Sequence, residues 1–442
     1  MNNQRAIQNN KPASSIEVDF EHTRSQVLDE AHKRPFMTIH SPCRITHLVY
    51  LNARDGDSGA NHLQKLLEQA DKAEEADFAA DDSCQFGYFP KFTLRWEKHT
   101  EFSTYTLIVP DAGNSSFSDN TALANVPQDW LDNIPGQRLA ALQALICTDL
   151  ASLPGSPELT DLFAQQPVYG GEIMSGRARV WTSFRAHQPG NCNRFVIETG
   201  ELDPTRSSRL LQNILELESY RLLALLTFPL ARRLTPELRQ TDQQLMHLVE
   251  DLASTGEEAA KPLLEELLAL ATSIESMRAR SNYRFNATRA YASLVRKRLR
   301  MLRECRPQSQ VSLSGFLERR FSPAIETCNA VEGQLQGLSR RIARAGDLLR
   351  TRIDLDIQHQ NQKLLASMDR RASLQLHLQQ TVEGLSIFAI SYYVMGLVSY
   401  ALKPWSPGKW LTAALVPVVV AAVWLMVRGI RKQLHKHKTD DE

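Results

Sequence analysis

The sequence predicts an α+β protein: an N-terminal α/β cytoplasmic domain, a helical bundle with a long stalk helix, and a C-terminal two-helix transmembrane hairpin. Three observations predict it. Residues 385–402 (LSIFAISYYVMGLVSYAL) and 410–427 (WLTAALVPVVVAAVWLMV) carry no charge, and each run is long enough to cross a ~30 Å hydrocarbon core as a helix. Strand-forming residues thin out after Ser207, and Leu, Ala, Arg, Glu and Gln take over. No proline interrupts the chain between Pro323 and Pro404, so a single helix is free to run into the first apolar segment.

The bulk numbers bound this picture. A chain of 442 residues with net charge +1 suggests two or three structural units. Its mean hydropathy is negative, which puts most of the mass in water. Six cysteines (Cys43, Cys84, Cys147, Cys192, Cys305, Cys328) form no CxxC pair, as suits reduced thiols in a cytoplasmic domain. Residues 1–15 are polar, lack an apolar core of signal-peptide type, and are expected to be disordered.

Residues 16–206 form the expected α/β domain. A short helix at 25–32 is stopped by Pro35, and 45–51 (ITHLVYL) reads as a strand. Leu63, Leu66, Leu67 and Ala70 fall at helical spacing within 61–76. A hairpin follows, with FTLRWEKH from Phe92 and FSTYTLIV from Phe102 both rich in β-formers. The apolar stretch 139–150 reads as a helix. Residues 177–184 and 193–198 read as a second strand pair joined through HQPGNC, so the sheet is expected to be largely antiparallel or mixed.

The bundle is expected over 207–322: one helix at 207–234 with Pro229 near its end, another opened by Pro236, and a third at 257–305. The stalk follows over 323–384. Val331, Leu335, Leu338, Ile342, Ala345 and Leu349 step by 4 and 3, a heptad seam that slips through Ile353 and Ile357. It resumes loosely at Leu364, Met368, Leu374 and Leu378. Continued to the first span, such a helix is on the order of 120 Å long at ~1.5 Å per residue. A lone helix cannot bury this seam, which implies packing on the preceding helices, on further copies, or both.

The hairpin occupies 385–427, and a basic cytoplasmic tail occupies 428–442. Arg428, Arg431, Lys432, Lys436 and Lys438 outnumber Lys403 and Lys409 in the connecting loop, so both chain ends are expected on the cytoplasmic side. Trp405, Trp410 and Tyr400 stand where interfacial anchors belong.

The stretches HKRPF (32–36), RRFSPAIETC (319–328), LLRTRID (348–354), QNQKLLASMDRRASLQLHLQQTVEGLS (360–386) and AISYYVMGL (389–397) resemble a family of bacterial membrane-anchored proteins, a domain of unknown function. That resemblance implies an inner-membrane location and says nothing of chemistry. The order of parts is also similar to the CorA-type divalent-cation channels. Those join a cytoplasmic α/β domain to a stalk helix, a first span that lines a pore in a pentamer, a short outer loop, and a second span with a basic tail. The likeness implies a homo-oligomer and a divalent cation as cargo. It stops at the outer end of the first span, where the Gly-Met-Asn triplet of CorA-type proteins is replaced by SYALKPW, and MGL at 395–397 lies within the span. The acidic outer loop is replaced by Lys403 and Lys409, so magnesium selectivity does not carry over.

If the first span lines a pore, Ser386, Tyr393 and Tyr400 recur on one face, with Glu383 one turn before Ser386. Tyrosines near interfaces also serve as anchors, and serines satisfy their own backbone. A ring of Glu383 carboxylates would attract cations at the membrane entrance; an exposed interfacial glutamate is the alternative. Asp354 and Asp356, with Asp347 two turns earlier, are candidates for a regulatory cation between subunits, or belong to a solvated face. His40, Cys43 and His47 in HSPCRITH match no standard zinc spacing. The chain lacks a P-loop, Gly-x-Ser-x-Gly, His-Glu-x-x-His and a dinucleotide fingerprint, so no enzyme class is expected. The Arg-rich segment (Arg289, Arg296, Lys297, Arg298, Arg300, Arg303) interleaves with Tyr291, Leu294, Leu299 and Leu302, which favours a bundle helix over a nucleic-acid surface. Asn286-Ala-Thr288 is a sequon only by pattern. Membrane lipid is the expected partner.

Overall fold

The computed structural model describes residues 37–52, 59–69, 83–110, 117, 122–152, 158–188, 190–254, 260–305, 311–401 and 409–438. The expected disordered 1–15, the helix at 25–32 and the loop between the two apolar runs lie outside the described residues. The chain divides into two compact units, Met1–His247 with Leu268–Ile342, and Leu248–Leu267 with Ala343–Glu442.

The first unit is built on a mixed sheet. Its strands are β1 (Cys43–Leu51), β2 (Cys84–Phe89), β3 (Phe92–Lys98), β4 (Phe102–Pro110), β5 (Gln137–Cys147), β6 (Tyr169–Ile173), β7 (Ala178–His187) and β8 (Cys192–Glu198). They lie in the order β2-β3-β4-β1-β5-β8-β7-β6. Neighbours are antiparallel except β5 and β8, which run parallel. The β3–β4 and β7–β8 hairpins stand where alternation and β-formers place them.

The helix expected at 139–150 is a strand. β5 sits between β1 and β8 with both faces covered, and its residues from Ala140 to Cys147 are all buried. A strand buried on both faces loses the period-2 alternation and reads as a continuous apolar run. Its Ala and Leu content then favours helix on propensity alone, and tertiary pairing overrides that preference.

One face of the sheet is covered by α1 (Gly59–Gln69), α2 (Gln128–Asp132) and α3 (Leu159–Leu162). Leu63 and Leu66 of α1 and Trp130 of α2 pack there with Leu48, Trp96, Tyr105 and Leu107, and Leu162 and Phe163 pack with Leu145, Trp181 and Val196. The other face receives α4 (Pro204–Leu225), α6 (Ala260–Leu302) and α7 (Leu313–Arg320), through Leu210, Ile214 and Leu217, Ala292 and Val295, and Leu313 and Leu317. Asp203 caps α4 by accepting from the Arg206 amide, with Pro204 in the first turn where its missing N–H costs nothing. The N-terminus of α7 is capped from a distance: the Glu304 carboxylate accepts from the amides of Leu313 at 2.6 Å and Ser314 at 3.0 Å.

Two boundaries in the bundle differ from expectation. The first helix ends at Leu225, and α5 (Phe228–Ser254) begins just after it. Pro229 therefore stands in the first turn of α5, while Pro236 lies inside it. The corner is fixed by Thr227, fully buried, whose hydroxyl donates to the Arg284 carbonyl at 3.1 Å and accepts from Thr288 at 2.7 Å. Thr288 thus belongs to a buried clamp, as part of α6 rather than an exposed sequon.

α8 (Ser322–Ala401) is one continuous helix of 80 residues, as the proline-free run predicts. In the first unit its seam residues Val331, Leu335, Leu338 and Ile342 are buried. Ties to α5 and α6 run from Asp242 to Arg341, from Glu275 to Ser339 at 2.9 Å, and from Arg289 to Glu332 at 2.8 Å. In the second unit Ala345 and Leu349 are buried, and Arg352 donates to the Leu252 carbonyl. Beyond that point the seam is uncovered: Ile357, Leu364, Met368, Leu374 and Leu378 are all exposed. One 18-residue window of this helix is apolar enough to cross a membrane, and 6% of that window is buried. α9 (Lys409–Lys438) carries a shorter apolar stretch, Val416–Gly429.

Candidate functional site

A polar cluster crosses the sheet beneath α4. Arg95 of β3 pairs across the strands with Thr106 of β4, and Thr106 with His47 of β1, so the three side chains lie side by side on one face. Glu97 follows two residues after Arg95 and points the same way. Asn193 of β8 extends the row, and α4 meets it with Glu218, Ser219 and Arg221. All of these residues are buried.

The hydrogen bonds fix the state of His47. Its Nδ1 lies 2.8 Å from Thr106 Oγ1, and its Nε2 lies 3.2 Å from Ser219 Oγ. Ser219 Oγ donates its proton to the Leu215 carbonyl at 2.7 Å. Nε2 must therefore carry the hydrogen and donate to Ser219, while Nδ1 accepts from Thr106. Burial first, and then the Arg95 charge, push the imidazole down to about 3. A base that weak, beside a serine whose proton is committed elsewhere, is not a nucleophile–base pair of hydrolase type. The ring locks the sheet to α4.

Two ion pairs share the cluster. Arg95 Nη2 donates to Glu97 Oε1 at 2.7 Å with both side chains buried. Glu218, with no exposed surface, accepts from Arg221 Nε at 2.6 Å and Nη2 at 2.5 Å and from Asn193 Nδ2 at 2.8 Å. Farther along α4, Glu216 pairs with Arg298 of α6 and accepts from Gln212 at 2.9 Å. Beside Arg95, Glu97 and Glu216 lies a cavity of about 40 Å³ whose lining also includes His47, Thr104, Leu211 and Leu215. Arg95 Nε and Thr104 Oγ1 are buried without a hydrogen-bond partner. At the rim of the sheet, Glu101 accepts from Tyr283 at 2.9 Å and from Arg284 at 2.7 Å. Burial and this carboxylate push the phenol of half-buried Tyr291 upward.

Glu383, Ser386, Tyr393 and Tyr400 all lie on α8 in the second unit. Glu383 is half-buried, and Tyr393 and Tyr400 are 71% and 78% exposed. Ser386 Oγ donates to the Val382 carbonyl at 2.9 Å, the backbone satisfaction weighed above. Beside this stripe, Ser391 is buried and its Oγ has no partner. Asp354 is exposed and Asp356 half-buried; two residues apart on a helix they point about 160° apart, so one chain does not bring them together. His40 is exposed while Cys43 and His47 are buried on β1, and both ring nitrogens of His47 are occupied. Among the described residues no group of three or more His, Cys, Asp and Glu could hold a metal ion. The Arg-rich segment is a bundle helix, with Leu294, Leu299 and Leu302 on the core and Arg289 and Arg298 in ion pairs.

The model of the family described as "Protein of unknown function (DUF3422)" matches residues 21–434. The chain belongs to the DUF3422 family. No curated protein matches it. Among solved structures, BrvH, a flavin-dependent halogenase from Brevundimonas sp. BAL3, aligns at 13% identity and a TM-score of 0.17, covering 74% of this chain and 54% of the halogenase. The DUF3422 chain thus spans about half of that enzyme's length, and a likeness this low carries no argument about fold or chemistry.

Proposed function

We propose that this DUF3422 protein is an integral protein of the bacterial inner membrane, multi-pass, with both chain ends in the cytoplasm. In this reading it works as a homo-oligomer that moves a cation, as a divergent relative of the CorA type. The observation that carries the reading is the uncovered apolar surface of α8. Leu364, Leu365, Met368, Leu374, Leu376 and Leu378 are each about 60% exposed, and Leu385, Phe388, Tyr392 and Leu397 more than 70%. Surface of this extent and continuity marks contact with lipid or with another chain. The upper stretch, with charges and glutamines between its leucines, suits copies of itself; the lower stretch, free of charge, suits acyl chains. The second apolar helix, α9, returns the chain to the cytoplasmic side, and Arg428 stacks 4.9 Å over Trp424 at its interfacial end.

Glu383, Ser386, Tyr393 and Tyr400 share the face of α8 that would point at the axis of such an assembly. Cation flux into proteoliposomes tests this: flux that is lost on Glu383→Ala or Tyr393→Ala supports transport, and no flux for any of a panel of metals refutes it. A second reading, a membrane-anchored scaffold or sensor in which the hairpin only tethers, is favoured by SYALKPW standing where a CorA-type channel carries its Gly-Met-Asn triplet.

A further inference from the structure

We propose that the cavity between the sheet and α4 is a binding site for a small organic carboxylate of about five heavy atoms. The proposal is independent of the transport reading, since every lining residue belongs to the sheet-bearing unit.

Three features converge on that ligand. The first is unspent hydrogen-bonding capacity. Arg95 directs Nη2 to Glu97 and leaves Nε without an acceptor, and Thr104 leaves its hydroxyl unpaired; both residues are at least 95% buried and both line the cavity. A buried polar atom without a partner costs ~1–3 kcal/mol, so these two donors mark where an oxygen atom belongs; a third lining atom without a hydrogen bond, Glu216 Oε2, has its charge met by Arg298. An arginine that already holds one carboxylate keeps donors for another, and its fork geometry suits that group.

The second is charge. Arg95 is balanced by Glu97, and Glu216 by Arg298. His47 is neutral and spends both nitrogens on Thr106 and Ser219. The lining therefore offers no uncompensated negative charge to repel an anion, and its unpaired N–H is on a cation. The third is size and shape. The lining also includes the apolar side chains of Phe102, Leu211 and Leu215. A cavity of about 40 Å³ exceeds the roughly 10–15 Å³ that one water needs, and it falls short of a nucleotide or a sugar. A carboxylate with a short apolar tail suits such a mixed lining.

Calorimetric titration of the detergent-solubilised full chain with propionate tests the assignment. One equivalent should bind, and neutral propionamide should bind at least tenfold more weakly. Thr104→Val keeps the side-chain shape and removes only the hydroxyl. It should weaken propionate about tenfold to a hundredfold, the range of a hydrogen bond to a charged group. Arg95→Gln combined with Glu97→Gln removes both charges together, avoids a lone buried carboxylate, and should abolish binding. No saturable binding at tens of millimolar propionate would overturn the proposal and leave the cavity to water. Equal affinity for Thr104→Val and the parent would overturn it as well, because the ligand would then sit elsewhere.

Discussion

His47 makes stability depend on acid in a way that can be isolated. Its imidazole is held at about 3, against an ordinary value of 6.5, chiefly because it is buried. The folded chain therefore keeps His47 neutral down to about pH 3, while the unfolded chain takes up a proton as soon as pH falls through 6.5. Protonation then favours the unfolded state, and stability declines across that window by ~1.4 kcal/mol per pH unit. Between pH 7.5 and 5.0 the loss from this one group is about 2 kcal/mol. The comparison is with His47→Gln, which keeps a hydrogen-bonding side chain without the titration. Urea unfolding, followed by the fluorescence of Trp96, Trp130 and Trp181 in the sheet-bearing unit, reads both proteins at each pH. The variant starts less stable at pH 7.5, and the gap should close by about 2 kcal/mol by pH 5.0. Parallel pH profiles would refute the argument, because they would mean that His47 is protonated or solvent-reachable in the native state.

Other perturbations follow from single contacts. Gly170 sits at φ +139 in β6, and a Cβ there would lie 1.9 Å from the Val180 carbonyl oxygen. Gly170→Ala should separate β6 from β7 and cost several kcal/mol, measured as a fall in the urea midpoint. Glu218→Ala leaves Arg221 buried without its partner and should cost about 3–5 kcal/mol, whereas the pair Glu218→Leu with Arg221→Met should recover much of it; a double variant as unstable as the single would contradict this reading of the pair. Glu304→Ala removes the remote cap from α7 and should lower stability by about 1–2 kcal/mol in the same assay.

The sequence was most legible where one physical signal dominated. The β3–β4 hairpin alternates cleanly because its apolar residues Leu94 and Trp96 face α1 and α2, while Arg95 and Glu97 face α4. The continuity of α8 followed from the absence of proline, and its seam from steps of 4 and 3 up to Leu349. β5 reads as a helix in the sequence because burial on both faces erases its alternation. The helix break at Leu226 was invisible because Thr227, which makes the corner, acts through α6 residues some sixty positions away. The polar cluster was missed for a related reason. Arg95 and Glu97 two apart on a strand, and Glu218 and Arg221 three apart on a helix, were visible as local pairs. Only the strand order brings both pairs into one polar cluster with His47, and sets Arg95 and Glu97 beside Thr104 at the cavity. The stripe of Glu383, Ser386, Tyr393 and Tyr400 was legible as a face of one helix, and its meaning depends on surroundings that a single chain does not contain.

Lipid is proposed to cover the exposed apolar length of α8 and α9. Alkaline carbonate extraction of membranes from cells expressing the full chain tests this most directly. The chain should remain in the membrane pellet and enter solution only with detergent; recovery in the aqueous supernatant without detergent would contradict it.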